Sequence, residues 1–128
     1  MHKNERFQVM DTTKLQELSI LPVESITGIT IFVRKKPPCQ FCNEAKRLIE
    51  TNFRKVPVET INISTTEGQT GWTNLRKEIP SIRGVPQTFF TYDIDGEQRR
   101  IYVGDLRELE NLCTERENRL ESLKSTLE

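Results

Sequence analysis

The sequence predicts an α/β fold: a four-stranded mixed sheet with helices on both faces, plus an N-terminal segment and a long C-terminal helix. Two observations carry this expectation. Short apolar, β-branched runs alternate with stretches of helical periodicity, the pattern of strands joined by crossover helices. Late in the chain, Asp95-Gly96 separates two strand-like runs, which marks an antiparallel hairpin. The length of 128 residues suits one domain with a modest core and an extension.

Residues 1–25 read as an accessory segment, partly helical, in which Asp11 caps TTKLQEL and sets Leu15 and Leu18 on one face. Residues 26–112 form the main domain. Its first strand, residues 29–33 (ITIFV), is apolar enough to be buried on both faces. The following Pro37-Pro38 cannot continue a ladder. After Cys39 a helix pattern begins, with Phe41, Ala45, Leu48, Ile49 and Phe53 at helical spacing. Residues 56–63 alternate as a second strand, 64–71 form a polar loop, and Trp72, Leu75 and Ile79 mark a short helix ending at Pro80. Residues 88–92 and 98–103 are the hairpin strands about a turn at 93–96. Asp105 is a natural N-cap for a long helix in which Leu106, Leu109, Cys113, Leu120, Leu123 and Leu127 recur at 3-4 spacing, interrupted by Arg116. Its first turns should pack on the sheet. Residues 113–128 form a helical extension, read as a solvated helix in preference to a short coiled-coil seam.

Composition excludes several classes. Nineteen basic and nineteen acidic residues leave no net charge, so there is no basic field for nucleic acid or an anionic membrane. A mean hydropathy of −0.59 and the lack of a long apolar run argue against a membrane span. Three cysteines, an odd number, and the polar start MHKNERFQVM argue against a disulfide-stapled secreted domain, so the expected location is a reducing cytoplasm.

The chemistry centres on Cys39-Gln40-Phe41-Cys42, at the change from strand to helix. Cysteines at i and i+3 on a first helical turn meet disulfide distance limits. The helix start offers unpaired N–H groups and positive potential, and Lys36 with Arg34 and Lys35 adds to it. A thiolate-favouring shift is expected at Cys39, the more exposed thiol, with Cys42 as the resolving thiol. The alternatives are weaker. A zinc site needs further ligands, and only Cys113 and His2 remain, far from ligand spacing, so no metal is expected. Cys113 and Trp72 read as packed residues. Two further elements draw notice. Val85-Pro86 precedes a strand and, beside a CxxC, suggests a cis bond presenting backbone groups to an extended substrate. Gly104-Asp105 opens a helix, either as an ordinary cap or as a carboxylate site.

These three elements, in this order, resemble the glutaredoxin branch of the thioredoxin superfamily over residues 26–112. The resemblance is closest to the short phage-type glutaredoxins, through Cys39-Gln-Phe-Cys42 with Asn43-Glu-Ala-Lys-Arg-Leu48, Ile61-Asn-Ile63, Val85-Pro-Gln87 and Leu106-Arg-Glu108. It implies a thioredoxin-like fold and a dithiol–disulfide oxidoreductase with Cys39 as nucleophile and Cys42 as resolving thiol. It implies glutathione as co-substrate, with Lys36 on the glycine carboxylate, Phe41 beside the tripeptide and Val85 pairing with its cysteine. Pro86 would be the cis proline, and Gly104 and Asp105 would hold the γ-glutamyl end. Protein disulfides such as that of ribonucleotide reductase are the implied substrates, in the cytoplasm of a host if the chain is phage-encoded. A monomer is expected, with self-association of the C-terminal helix as the alternative. The sequence departs from the family where Gln40 replaces the common proline and Val103-Gly104 replaces a double glycine. The first departure motivates an alternative, an iron–sulfur-bridged dimer. That cluster needs four thiolates, of which this chain supplies one or two. The second motivates another, reduction by a thioredoxin reductase.

Overall fold

The computed structural model describes residues 7–127, with side chains as far as residue 125. His2, the start of the accessory segment and the Leu127 side chain lie outside the described residues.

The central strand β2 (Ile26–Val33) pairs in parallel with β3 (Val58–Asn62), placing Ile29 opposite Val58 and Val33 opposite Asn62. The crossover between them carries helix α2 (Gln40–Asn52). On its other side β2 pairs antiparallel with β4 (Gln87–Ile94), which turns through Asp95 and Gly96 into β5 (Glu97–Gly104). Asp95 and Gly96 both have positive φ (55° and 82°), the backbone form that lets a two-residue turn match the twist of its strands.

Among the described residues the sheet has five strands, not four. A two-residue strand β1 (Gln8–Val9) lies parallel to β5, giving the order β1-β5-β4-β2-β3. Two residues cannot display a period of two, so the sequence pattern carries no trace of this strand. The accessory segment therefore begins within the sheet, and helix α1 (Thr12–Ile20) continues it. Asp11 caps α1, its Oδ1 accepting from the Lys14 N–H at 2.8 Å. Leu18 is fully buried in the main core.

The polar stretch 64–71 is mostly helix rather than loop. Helix α3 (Thr66–Glu78) starts as soon as Thr65 Oγ1 accepts from the Gly68 N–H at 3.0 Å. Gly68 reads as loop punctuation in the sequence, yet it is a packing residue. A Cβ there would collide with the Asn62 carbonyl, so glycine lets α3 sit directly on the end of β3.

Strand alternation divides the apolar residues between two layers. Ile29, Ile31 and Val33 join Phe53, Phe90, Tyr92 and Leu109 in the main core, which also takes in Cys39, Cys42 and Cys113. Phe32 and Phe89 point the other way and pack with Trp72, Leu75 and Ile82 around α3. The last helix, α4 (Leu106–Leu127), buries Leu109, Leu112 and Cys113, whereas Leu120 and Leu123 further along are exposed. Arg116 explains the break in its leucine spacing. Its guanidinium donates to the carbonyls of Leu18 and Leu21 at 2.7 and 2.9 Å and lies 5.2 Å from the Phe53 ring centroid. It therefore ties α4 to the end of α1. Among the described residues no helix is long and apolar enough to cross a membrane.

Candidate active site

The site forms where β2 gives way to α2. The segment after β2 is a turn rather than a strand extension, because prolines at 37 and 38 remove two ladder donors. Arg34 braces this turn, with Nε donating to the Pro37 carbonyl at 2.9 Å. The Lys36 N–H donates to Ser64 Oγ at 3.2 Å, which fixes the turn against the end of β3.

Cys39 then occupies the N-cap of α2 in an extended conformation, and its Sγ accepts from the Cys42 N–H at 3.1 Å. Sulfur thus takes the place of the usual capping oxygen and satisfies one of the free donors of the first turn. Cys39 and Cys42 are joined as a disulfide with Cα atoms 5.2 Å apart. Cys39 is 6% exposed and Cys42 2%, so access to the pair is from the Cys39 side. Cys113 is a free thiol, buried in α4 and pushed up to about 11 by that burial.

Two grooves flank the dithiol, and they share no lining residue. The first, of about 210 Å³, contains Cys39 and Cys42 with Asn43 and is walled by Arg34, Lys35 and Lys46. The second, of about 440 Å³, brings together Phe41, Val85, Pro86 and Asp105 with Arg83, Tyr102 and Arg107. Phe41 is 64% exposed, so its ring is available on the wall of this groove. The Val85–Pro86 peptide is cis, as is Lys36–Pro37.

The loop before Pro86 is held from beneath by a side-chain chain. Tyr102 Oη donates to Gln87 Oε1 at 2.5 Å, and Gln87 Nε2 donates to the Gly84 carbonyl at 2.6 Å. Gln87 is buried, and burial together with Asp105 and Glu108 pushes the Tyr102 hydroxyl up to about 12. It therefore stays a donor throughout the physiological range.

Of the residues singled out in the sequence, Cys39 and Cys42 share one groove, and Phe41, Val85, Pro86 and Asp105 share the other. Lys36 lines neither groove. It is exposed beside Ser64, and Lys35 and Lys46 stand on the wall of the dithiol groove in its stead. Asp105 caps α4, accepting from the Glu108 N–H at 3.2 Å. Gly104 has φ of 121°, and a Cβ there would come within 2.8 Å of Glu108 Cγ. Its glycine is thus required by the helix start itself. Lys46, Gln87 and Tyr102 were not visible as site residues. Lys46 had a signal, since i+4 from Cys42 lies on the same helix face. Gln87 stands in the Val85-Pro-Gln87 stretch but without a role of its own, and Tyr102 had no signal, because only the pairing of β4 with β5 brings it to this loop.

Among the described residues no cluster of His, Cys, Asp or Glu is arranged to hold a metal ion. A redox-capable cysteine pair capping the helix after the central strand, on a mixed sheet with helices on both faces, defines a thioredoxin-like thiol–disulfide site. Residues 29–98, more than half of the chain, match the family model described as Glutaredoxin. The chain belongs to the glutaredoxin family. Among solved structures, thioredoxin O2 from Arabidopsis thaliana in the oxidized state is similar over 88% of this chain and 95% of that chain, with 17% identity and a TM-score of 0.40. No curated protein matches.

Proposed function

We propose that the protein is a dithiol–disulfide oxidoreductase that reduces protein disulfides and is itself regenerated by glutathione. The observation that carries this is the capping of α2 by Cys39 Sγ, with the Cys42 N–H donating to it at 3.1 Å. The donor that meets the sulfur here is the one that stabilises a thiolate once the pair is reduced, at the positive end of the helix.

In the reduced protein the Cys39 thiolate attacks one sulfur of a substrate disulfide. A Cys39–substrate disulfide forms, and the other substrate sulfur leaves as a thiolate that takes up a proton. Cys42 loses its proton and attacks Cys39 Sγ. The Cys39–Cys42 disulfide forms, and the second substrate thiolate departs and is protonated. Two electrons have passed from the dithiol to the substrate. Two glutathione thiols reverse the exchange and leave as glutathione disulfide. The groove that holds Phe41, Val85, Pro86 and Asp105 supports a tripeptide or an extended segment beside the dithiol, with Lys36 outside it. Gly104 and Asp105 would meet its γ-glutamyl end. Ribonucleotide reductase is the family's example of a protein substrate.

Glu108 favours a second reading. Its Cβ and Cγ lie against Gly104, so an acidic side chain borders the stretch expected to meet the γ-glutamyl end of glutathione. On that reading a thioredoxin reductase supplies the electrons. Coupled assays with a neutral small disulfide separate the two. Turnover with glutathione and glutathione reductase, abolished in Cys39→Ser, is expected. Turnover with thioredoxin reductase alone would replace glutathione as the donor. Cys42→Ser should accumulate a Cys39–glutathione mixed disulfide, visible by intact mass, and its failure to form would refute the glutathione step.

A further inference from the structure

The groove holding the two cysteines is basic on every charged wall. Arg34 and Lys35 reach it from the turn after β2, and Lys46 reaches it from the second turn of α2. Among the described residues no carboxylate lines it, and Glu44, an acid on the same stretch of α2, is engaged by Arg47. Arg34 is braced by its bond to the Pro37 carbonyl, so its charge is fixed in place rather than swinging in solvent. The whole chain carries no net charge, so this concentration of one sign is local. Convergent like charges repel one another, and their mutual repulsion falls when an anionic partner enters.

We infer that this groove recognises an acidic flank of a protein substrate, with carboxylates beside the cysteine whose disulfide is reduced. The inference rests on the oxidoreductase reading and adds the class of substrate that the dithiol meets. The occupant is a protein segment rather than the small co-substrate, for two reasons. The residues suited to an extended peptide backbone and an aromatic contact, Val85 and Phe41, lie in the other groove. A chain whose cysteine reaches Cys39 and which continues on both sides can fill both grooves at once, and its second flank then lies among Arg34, Lys35 and Lys46. Such charges act first on encounter, raising the association rate of the matching partner and slowing the mismatched one.

The test uses prereduced protein and disulfide peptides that differ only in the residues flanking the cysteine: glutamates, glutamines or lysines. Single-turnover reduction needs no external donor, so its result does not depend on whether glutathione or a reductase regenerates the dithiol. The glutamate peptide should react about tenfold faster than the lysine peptide at low salt, the gain of a few partly exposed ion pairs. The preference should shrink to about twofold in ~0.5 M salt, where screening is short-ranged. K35Q/K46Q should remove most of it and K35E/K46E should invert it, with the neutral glutamine peptide as the common reference. Equal rates for the acidic and basic peptides in the unaltered protein would overturn the proposal, as would a preference that K35E/K46E leaves unchanged. If no peptide and no neutral small disulfide reacts, the oxidoreductase reading fails instead. The docking surface is then decided by fluorescence anisotropy of labelled peptides with serine in place of cysteine. Salt-sensitive binding of the acidic peptide, lost in K35E/K46E, supports the surface, and its absence refutes it.

Discussion

Replacing Arg116 by methionine keeps most of the apolar stem and removes the guanidinium. Arg116 interrupts the leucine spacing of α4, yet it should be among the costliest residues there to change. Its two hydrogen bonds, to the carbonyls of Leu18 and Leu21, involve a charged donor. Such bonds contribute roughly 1.5–3 kcal/mol each. The Phe53 ring adds about 0.5–1 kcal/mol of cation–π attraction. Against this stands desolvation, which already lowers the pKa of the half-buried guanidinium. The methionine would not suffer that penalty, and water reaches part of the freed carbonyls, so the net loss is roughly 2–4 kcal/mol. At the typical unfolding entropy per residue, a chain of this length loses about 4 °C of Tm per kcal/mol, so Tm should fall by roughly 8–15 °C. Arg119→Met, an exposed arginine three residues on in the same helix, should change Tm by less than about 2 °C and serves as the control. Calorimetry reads the total. Amide exchange locates it, because α1 should lose protection before the central strands. A fall below about 3 °C, or an α1 whose protection is unchanged, would refute the role of Arg116 as the tie between α1 and α4.

Other outcomes follow from single buried groups. The Thr88 hydroxyl is fully buried without a hydrogen-bond partner among the described residues. Thr88→Val keeps the shape and removes an unsatisfied polar group, so thermal unfolding should show a gain of about 1 kcal/mol, and a loss would mean the hydroxyl has a partner. Cys113 is held up to about 11 against an ordinary value near 9. A raised value means the folded state keeps the proton more firmly, so the stabilisation is complete below pH 9 and is lost as pH rises to 11. In C39S/C42S protein, a thiol reagent at pH 8 should label Cys113 only after denaturation. Gly104→Ala meets both a positive φ and the Glu108 side chain. It should cost about 2–3 kcal/mol in chemical denaturation, and adding Glu108→Ala should recover only the steric share, because the backbone strain remains.

The parts of the fold that were legible in the sequence are those whose signal is local. The apolar run in β2, the Asp95-Gly96 turn and the caps at Asp11 and Asp105 each declare themselves within a few residues, and each stands where it was expected. Strand β1 was invisible because it exists only as an addition to β5. The early start of α3 was hidden by Gly68, whose missing side chain serves the Asn62 carbonyl and not a loop. Arg116 looked like a defect in a leucine stripe because its partners lie 95 and 98 residues away in sequence.

The same division runs through the candidate site. Cys39 and Cys42 are neighbours on one helical turn, so spacing alone places their sulfurs together. The charge around them is assembled differently. Lys36, three residues before Cys39, was the natural choice for an anion contact, but its backbone is drawn to Ser64 and the groove is walled by Lys35 and by Lys46 from α2. Arg34 and Lys35 face the groove from the turn, whereas Lys36, the next residue along, is exposed outside it. A helix repeats every turn, so the residue four beyond Cys42 must return to its face. On the proposed reading, reactivity is a property of one short motif, whereas the choice of substrate falls to cations brought together by the packing of α2 against the turn after β2. Substitutions on that wall should therefore change which disulfide is reduced far more than whether one is reduced at all.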